Sequence, residues 1–309
     1  MAAASGVAAW TGIRPCAHAS QDGLLEQVQS PYNDVRIVQR GTVRTMYFVV
    51  DGVAYIESRH DHARPASLDL DYTRTMMAGF LIQPAVKRLL MLGFGGGQMS
   101  NYLFERFSGI DIDGVDIDPE VVRLARKYFG VPKHPRYRTH VMDARLFLER
   151  SDNDTRWDMI MLDAFRGVFV PYHLKTQEFY RACLARLSHD GVVVANLHNA
   201  TRMYPHDRQT LAIVFPNEYA FVSESGNQTT FVGSASTRKL GAYAIRANAT
   251  VSQPHFDFDL FGLAARYYLR RDWELDAELL RDDFKPAQLE QATHRHNITC
   301  IRGCRYQTH

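Results

Sequence analysis

The fold of this chain is decided by residues 89–98, which have the sequence LLMLGFGGGQ. The four apolar residues predict a buried strand, the glycines predict a tight turn, and a helix is predicted to begin at Gln98. The glycines of the turn are Gly93, Gly95, Gly96 and Gly97. Glycines let the backbone approach a ligand, and a helix N-terminus directs N–H groups at it. The stretch therefore indicates a nucleoside-binding turn, although a tight turn without a ligand would show the same pattern.

Apolar runs alternate with amphipathic segments along the chain after this turn. Strands are predicted at residues 89–92, 110–115, 137–141, 159–162 and 192–195, and helices at 98–107, 119–129, 144–150 and 176–187. Such alternation is typical of a doubly wound parallel sheet. Segments 220–223 and 230–232 predict an antiparallel hairpin at one edge. The predicted fold class is α/β, with a Rossmann-like sheet that resembles that of S-adenosylmethionine-dependent methyltransferases.

The chain is predicted to divide into four parts. Alternating residues on both sides of the hairpin signal Asp51-Gly52 predict a small N-terminal β-domain, and apolar residues at helical spacing predict a helix over 72–81. Two helices, at 260–269 and near 274–281, are predicted to form a C-terminal cap. The parts are an uncertain leader or disordered segment (1–24), the β-meander with its helix (25–84), the Rossmann-like domain (85–250), and the helical cap with a tail (251–309).

Acidic residues stand at the ends of the predicted strands, where open α/β sheets bind ligands. Asp116 lies 19 residues after Gly97, and its carboxylate can accept both hydroxyls of a ribose. Asp143 either accepts from the amino group of adenine or caps the next helix, and the sequence leaves both interpretations open. Asp163 is the catalytic candidate. Asp118 precedes a proline at a helix start and is therefore predicted to be a helix cap and not a ligand.

The composition excludes several classes of protein. Hydrophobic residues make up 46% and charged residues 23% of the chain, as in ordinary globular proteins. A formal charge of +2 does not indicate the strongly basic surface of a nucleic-acid-binding protein, so no nucleic acid is expected as a partner. No apolar run is long enough to span a membrane. We expect a cytoplasmic location because an adenosyl cofactor is made there, with export open if residues 1–19 are a leader. Cys300 and Cys304 could pair or stay reduced, and their spacing to nearby histidines fits no standard zinc site, so no metal is expected.

The motifs, taken in order, resemble the spermidine synthase (polyamine aminopropyltransferase) family over residues 28–235. They are SPYN at 30–33, LGFGGG at 92–97, VDID at 115–118, MDA at 142–144, LDA at 162–164, HLKTQEFY at 173–180 and GVVVAN at 191–196. The resemblance implies transfer of an aminopropyl group from decarboxylated S-adenosylmethionine to a polyamine, without metal. Members of the family are often homodimers or homotetramers, so the resemblance implies one of these assemblies for this chain.

Carried over by motif, the resemblance assigns a role to several residues. Asp116 would hold the ribose, Asp143 and Ala144 the adenine, and Asp163 would act as the base beside the acceptor amine. Asn33 stands where the family usually has glutamine, and it would border the cofactor together with the glycine turn.

The sequence departs from the family's pattern around the acceptor. The glycine turn lacks the usual acid before Gln98, and basic residues replace acids at Arg74 and Arg166. Together with Tyr72, these arginines are the candidate acceptor residues; they either bind a carboxylate or lie in solvent. An S-adenosylmethionine-dependent methyltransferase and a non-catalytic adenosyl-binding protein remain as alternative functions.

Overall fold

The computed structural model describes residues 22–165, 169–199, 201–267, 272–273 and 276–282. Its first part is an antiparallel sheet in the order β1-β2-β3-β4, so the predicted N-terminal β-domain is confirmed. The first strand begins at Gly23, within the segment assigned above to the leader. The strands are β1 (Gly23–Gln29), β2 (Asp34–Arg40), β3 (Val43–Val50) and β4 (Val53–Asp61).

The small sheet packs directly onto the rest of the protein. Every second residue of β2 is buried, because side chains alternate between the two faces of a strand. Val35 and Ile37 of that inner face join a buried cluster with Val121, Leu124 and Phe129. A site that lies along the contact between the N-terminal sheet and α4 therefore has this sheet as one wall.

The helix predicted over 72–81 is two short helices, α1 (Asp71–Met76) and α2 (Gly79–Ile82). The interruption precedes Gly79, whose backbone lies against the main sheet. A Cβ atom at this position would lie 2.7 Å from the side chains of Met159 and Val194. The segment thus breaks where glycine allows the backbone to approach the sheet closely.

The main sheet has seven strands in the order β10-β11-β9-β8-β5-β6-β7. The five adjacent strands β9, β8, β5, β6 and β7 run parallel, and β10 and β11 form the antiparallel edge hairpin, as predicted. The strands are β5 (Arg88–Leu92), β6 (Asp111–Asp116), β7 (Tyr137–Val141), β8 (Trp157–Leu162), β9 (Leu187–His198), β10 (Asn217–Val222) and β11 (Gln228–Ser234).

Helices cover both faces of this sheet, so its central strands are apolar on both sides. In β5, Leu89 and Met91 contribute to one buried cluster, whereas Leu90 and Leu92 contribute to the other. This explains why the strand has a continuous apolar run. The helices are α3 (Gln98–Arg106), α4 (Pro119–Tyr128), α5 (Ala144–Arg150), α6 (Gln177–Ala185), α7 (Tyr204–Val214), α8 (Ala242–Ser252) and α9 (Leu260–Ala265).

The C-terminal region agrees with the prediction only in part. Helix α9 confirms the start of the helix expected over 260–269, but residues 276–281 are not helical, so that part of the second expected helix is wrong. The backbone there bonds to neighbouring helices: the Leu280 N–H donates to Thr210 Oγ1 at 3.0 Å, and its carbonyl accepts from the Gln177 N–H at 2.8 Å. These bonds replace the ones that a helix would have made.

The sheet order places a crevice beside β5. From β5 the chain continues through β6 and β7 on one side, and then returns to β8 and β9 on the other. Loops after β5 and β8 therefore diverge in opposite directions, which leaves room for a ligand at the carboxyl ends of the strands. The glycine turn follows β5 and Asp163 follows β8, so the sequence motifs flank this crevice.

Candidate active site

A cavity of about 260 Å³ occupies the crevice, between the carboxyl ends of the main-sheet strands and the N-terminal sheet. It brings together most of the residues selected from the sequence. Gly96 and Gly97 belong to the same turn but do not line the cavity, nor does Arg74, and Arg166 lies outside the described residues. The selected residues that line it are Asn33, Tyr72, Gly93, Gly95, Asp116, Asp143, Ala144 and Asp163.

The glycine turn is held against the loop that carries Asp163. Gly93 has a φ of +87°, and a Cβ atom there would lie 2.5 Å from the backbone of Asp163 and Ala164. An L side chain at this position would therefore be strained in its backbone and would also collide with the neighbouring loop. The close approach of the two loops fixes the distance between the turn and the catalytic candidate.

Gly93→Ala is expected to lower the free energy of unfolding by about 2 to 4 kcal/mol, since overpacking adds to the strain of a positive φ. Urea unfolding checks this, with Gly130→Ala as the control. Gly130 also has a positive φ, +71°, but a Cβ atom there would meet no atom of the described residues within 4 Å. The control is expected to lose about 1 kcal/mol. Equal losses of unfolding free energy in the two variants would show that the collision with the loop of Asp163 and Ala164 does not add to the cost of the substitution.

Asp116, at the end of β6, organises the glycine turn. Its Oδ2 accepts from the N–H groups of Phe94 and Gly95 at 3.2 and 3.1 Å, and its Oδ1 accepts from the Asp118 N–H at 3.0 Å. Burial raises the pKa of Asp116 to about 6, although these N–H groups favour the ionised form. The carboxylate thus sits at the cavity wall with its orientation fixed.

Asp118 acts as a helix cap, as predicted, and it also joins the two sheets. Its Oδ1 accepts from the Glu120 N–H at 2.9 Å at the start of α4. Its Oδ2 accepts from Ser30 Oγ at 2.5 Å and from Asn33 Nδ2 at 3.0 Å. Asn33 is consequently anchored through its amide nitrogen, and its amide oxygen is left for the cavity.

Asp143 caps helix α5 and also faces the cavity. Its Oδ1 accepts from the Leu146 N–H at 3.0 Å, and its Oδ2 is 2.8 Å from His173 Nε2. Burial opposes ionisation of Asp143, but the hydrogen bonds with His173 and Leu146 outweigh it and hold its pKa below the usual value. The capping interpretation is therefore confirmed, while contact with adenine stays a prediction.

Asp163 lies just beyond β8 and contacts two polar side chains. Asn196 Nδ2 donates to its Oδ1 at 3.1 Å, and the hydroxyl of Tyr72 also donates to the carboxylate. Burial raises the pKa of Asp163 to about 6, against the effect of these donors. A carboxylate with this pKa is ionised at neutral pH yet is a better proton acceptor than an ordinary aspartate.

The described residues that line the cavity give it a negative character. Besides Asp116, Asp143 and Asp163, they include Glu57 of β4, and no lysine or arginine is among them. Burial, together with the charge of Lys175, lowers the pKa of His198 to about 4, so this histidine is neutral at pH 7. Cationic ligands are therefore favoured over anionic ones.

Three buried amide oxygens in the cavity wall have no hydrogen-bond donor among the described residues. They are Asn33 Oδ1, Gln98 Oε1 and Asn196 Oδ1. Leaving a buried acceptor without a donor is costly, so such atoms indicate a ligand or water that supplies N–H or O–H groups. A donor-rich cationic ligand satisfies both this requirement and the charge of the cavity.

Sequence reasoning did not select Glu57, Gln98, His173 or Asn196 as site residues, although three of them lie in or beside the quoted motifs. Asn196 ends the GVVVAN motif and His173 begins the HLKTQEFY motif, so their positions at strand and loop ends were the available signal. No signal in the sequence marks Glu57, because the direction of its side chain depends on an irregularity in the pairing of β4 that the sequence does not reveal.

Comparison with known proteins identifies the family. The spermine/spermidine synthase domain matches residues 71–211. The polyamine aminopropyltransferase of Vibrio vulnificus (strain CMCP6) is 31% identical over 275 residues, which cover 87% of this chain and 92% of that protein. The chain belongs to the spermine/spermidine synthase family.

Two solved structures have the fold of this family member. A probable spermidine synthase from Corynebacterium glutamicum matches with a TM-score of 0.63 at 20% identity, covering 84% of this chain and 97% of that one. A spermidine synthase in complex with the transition state analogue AdoDATO matches with a TM-score of 0.61 at 19% identity, covering 80% and 85%. The curated relatives from Vibrio vulnificus and Chromobacterium violaceum are both polyamine aminopropyltransferases, so the chain is a transferase, and aminopropyl transfer is favoured over the methyltransferase alternative.

Arg74 of this family member is engaged outside the cavity. Its guanidinium donates to the Leu68 carbonyl at 2.8 Å and lies 3.6 Å from a carboxylate oxygen of Glu224. The structure therefore does not bring Arg74 to an acceptor in the cavity. Of the two arginines predicted to alter the acceptor site, only Arg166 is left as a candidate.

The described part of the chain contains neither a membrane span nor a metal cluster. No helix there has both the length and the apolarity that crossing a membrane requires. No group of three or more histidine, cysteine, aspartate or glutamate side chains in those residues is placed to hold a metal ion. Cys183 is buried and unpaired, whereas Cys300 and Cys304 lie outside the described residues.

Proposed function

We propose that this family member transfers an aminopropyl group from decarboxylated S-adenosylmethionine to a small amine, with Asp163 as the base. The observation that carries the proposal is the cavity wall, which combines four carboxylates with three unpaired amide oxygens. The cofactor would carry a sulfonium and an ammonium, and the acceptor would carry at least one further amine. All these groups are cations or N–H donors.

The adenosyl half of the ligand is proposed to bind on the β6–β7 side of the cavity. Asp116 is proposed to accept the ribose hydroxyls with the lone pairs that its backbone donors leave available. Asp143 is proposed to accept from the adenine amino group. The cavity lining also contains apolar residues, which suit the faces of a purine ring; they include Ile117, Met142, Ala144, Pro171 and Leu174.

The reaction is proposed to take place at Asp163. An alkylamine has a pKa near 10, so freeing its lone pair at pH 7 costs roughly 4 kcal/mol, which a nearby carboxylate helps to offset. As the amine proton passes to Asp163, the nitrogen forms a bond to the carbon beside the sulfonium. The carbon–sulfur bond breaks, and its electron pair stays on the sulfur of methylthioadenosine. Tyr72 and Asn196 hold the carboxylate in place for this step.

Isothermal calorimetry with decarboxylated and intact S-adenosylmethionine tests the cofactor assignment. We expect the decarboxylated form to bind at least about tenfold more tightly, because the extra carboxylate of the intact form would face the acids of the wall. The preference is expected to weaken as salt is added, because salt screens charge.

The opposite preference would contradict the proposal and would support the methyltransferase alternative, with Arg166 as a candidate partner for the carboxylate. Absence of binding to either form would contradict both enzyme assignments. Methylthioadenosine, the proposed product, serves as a third ligand that reports on the adenosyl half alone.

A further inference from the structure

The turn that leads into α3 has no acid in this chain, and its geometry leaves no room for one at Gly96. The Ser58 hydroxyl of β4 accepts from the Gly96 N–H at 2.8 Å. A Cβ atom at Gly96 would lie 2.7 Å from Ser58 Cβ and 3.0 Å from the ring of Phe129. A side chain at this position is excluded unless β4 moves, so β4 occupies the space beside the turn.

A β-bulge in β4 directs Glu57 into the cavity. In the register with β3, Ser58 pairs with Met46 and Ile56 pairs with Tyr47, so Glu57 is the extra residue between two pairs. In a regular strand, side chains of adjacent residues point to opposite faces, whereas Ile56, Glu57 and Ser58 all line the cavity. Bulges of this kind re-aim a side chain and are common beside active sites.

Gln98 provides a second observation on the other side of the turn. It is the first residue of α3, the residue is 7% exposed, and it lines the same cavity. Its Nε2 contacts the Ser67 carbonyl at 3.4 Å, while its Oε1 has no donor among the described residues. Glu57 is adjacent to Ser58 in the chain and Gln98 is two residues after Gly96, so the Ser58–Gly96 bond ties the two segments together. A carboxylate and an amide oxygen in one cavity wall suit an ammonium group.

We propose that Glu57 binds the ammonium of the aminopropyl group, with Gln98 Oε1 as a further acceptor. This inference rests on the proposed function and assigns the specificity of the same site. Glu57 thus supplies from the N-terminal sheet the negative charge that the glycine turn lacks. Burial, together with the charges of Asp163 and Glu57, raises the pKa of the Tyr72 hydroxyl, so Glu57 lies within electrostatic range of Tyr72.

The test compares two sulfonium ligands that differ only in the ammonium. One is decarboxylated S-adenosylmethionine, and the other carries a propyl group in place of aminopropyl. In Glu57→Gln, calorimetry is expected to show about ten- to a hundredfold weaker binding of the first ligand and a change of less than about threefold for the second. Glu57→Asp keeps the charge and is expected to retain affinity within about tenfold of the wild type.

Glu105→Gln is the matched control, because Glu105 is an exposed residue of α3 that does not line the cavity. It removes the same charge and is expected to leave both affinities unchanged. Equal weakening of the two ligands in Glu57→Gln, or an effect confined to the KM of the acceptor, would overturn the assignment of Glu57. The proposed function would not be affected by that result. A wild-type chain that binds neither sulfonium would overturn the proposed function and this inference with it.

Discussion

Asp163→Asn is expected to lower kcat by about a hundredfold or more while leaving the affinity for decarboxylated S-adenosylmethionine within about threefold of the wild type. Asparagine has nearly the same shape, and its amide oxygen can still accept from Asn196 Nδ2. The variant therefore removes the proton acceptor and little else. Steady-state kinetics with saturating cofactor, together with calorimetry on the same preparation, measures the two quantities separately.

The pH dependence of the wild-type enzyme provides an independent test of the same assignment. Because burial raises the pKa of Asp163 to about 6, kcat is expected to fall as the pH is lowered through about 6, where the carboxylate takes up a proton. A kcat that stays constant from pH 7 to pH 5 would contradict a role for this carboxylate as base.

Stability offers a control that separates catalysis from folding. The folded pKa of Asp163 lies above the value of 3.8 for the unfolded chain, so the folded state binds more protons, and the free energy of unfolding falls as the pH rises from about 4 to 6. Removing this charge in Asp163→Asn is expected to raise the free energy of unfolding at pH 7 by about 1 to 3 kcal/mol. Loss of activity in a variant that is at least as stable as the wild type cannot come from unfolding.

Asp190→Asn is a suitable comparison, since the Asp190 side chain is 62% exposed and Asp190 does not line the cavity. It carries the same chemical change and is expected to alter neither kcat nor stability appreciably. If Asp163→Asn matched this control in kcat, the catalytic role would have to be assigned to another residue.

The sequence predicted the central sheet well because the signals there are local. Strand β5 is apolar on both faces, the turn after it is rich in glycine, and Pro119 follows the capping residue Asp118. Each of these features depends on a few adjacent residues, so it can be recognised without knowing the fold. Convergence of the strand-end aspartates then follows from the topology, because parallel strands end at one edge of the sheet.

Features that depend on contacts between distant segments were not predictable in this way. Glu57 faces the cavity only because of the bulge between β3 and β4, and Arg74 is held outside it by Leu68 and Glu224. Charge alone suggested that Arg74 acts on the acceptor, but the direction of its side chain is set by its partners, and one of them, Glu224, lies far away in the sequence. The same applies to residues 276–281, where bonds to α6 and α7 replace a helix.

Asp116→Ala is expected to weaken the binding of methylthioadenosine by about a hundredfold or more, since each charge-assisted hydrogen bond to a ribose hydroxyl contributes about 1.5 to 3 kcal/mol. Methylthioadenosine has no sulfonium, so its affinity reports on the adenosyl contacts without the charge of the intact cofactor. Calorimetry is the direct measurement. The folded state is expected to persist, because the loss of three backbone partners is offset by removal of a buried charge whose pKa is raised.

Asp118→Ala is the informative comparison, because Asp118 lies two residues away and does not line the cavity. Its loss removes the cap of α4 and the bonds from Ser30 and Asn33, so we expect a fall of about 1 to 2 kcal/mol in the free energy of unfolding. The effect on methylthioadenosine is expected to stay below about tenfold, because only the position of Asn33 changes. Similar losses of affinity in both variants would mean that the order of the turn, and not a bond from Asp116 to the ribose, determines binding.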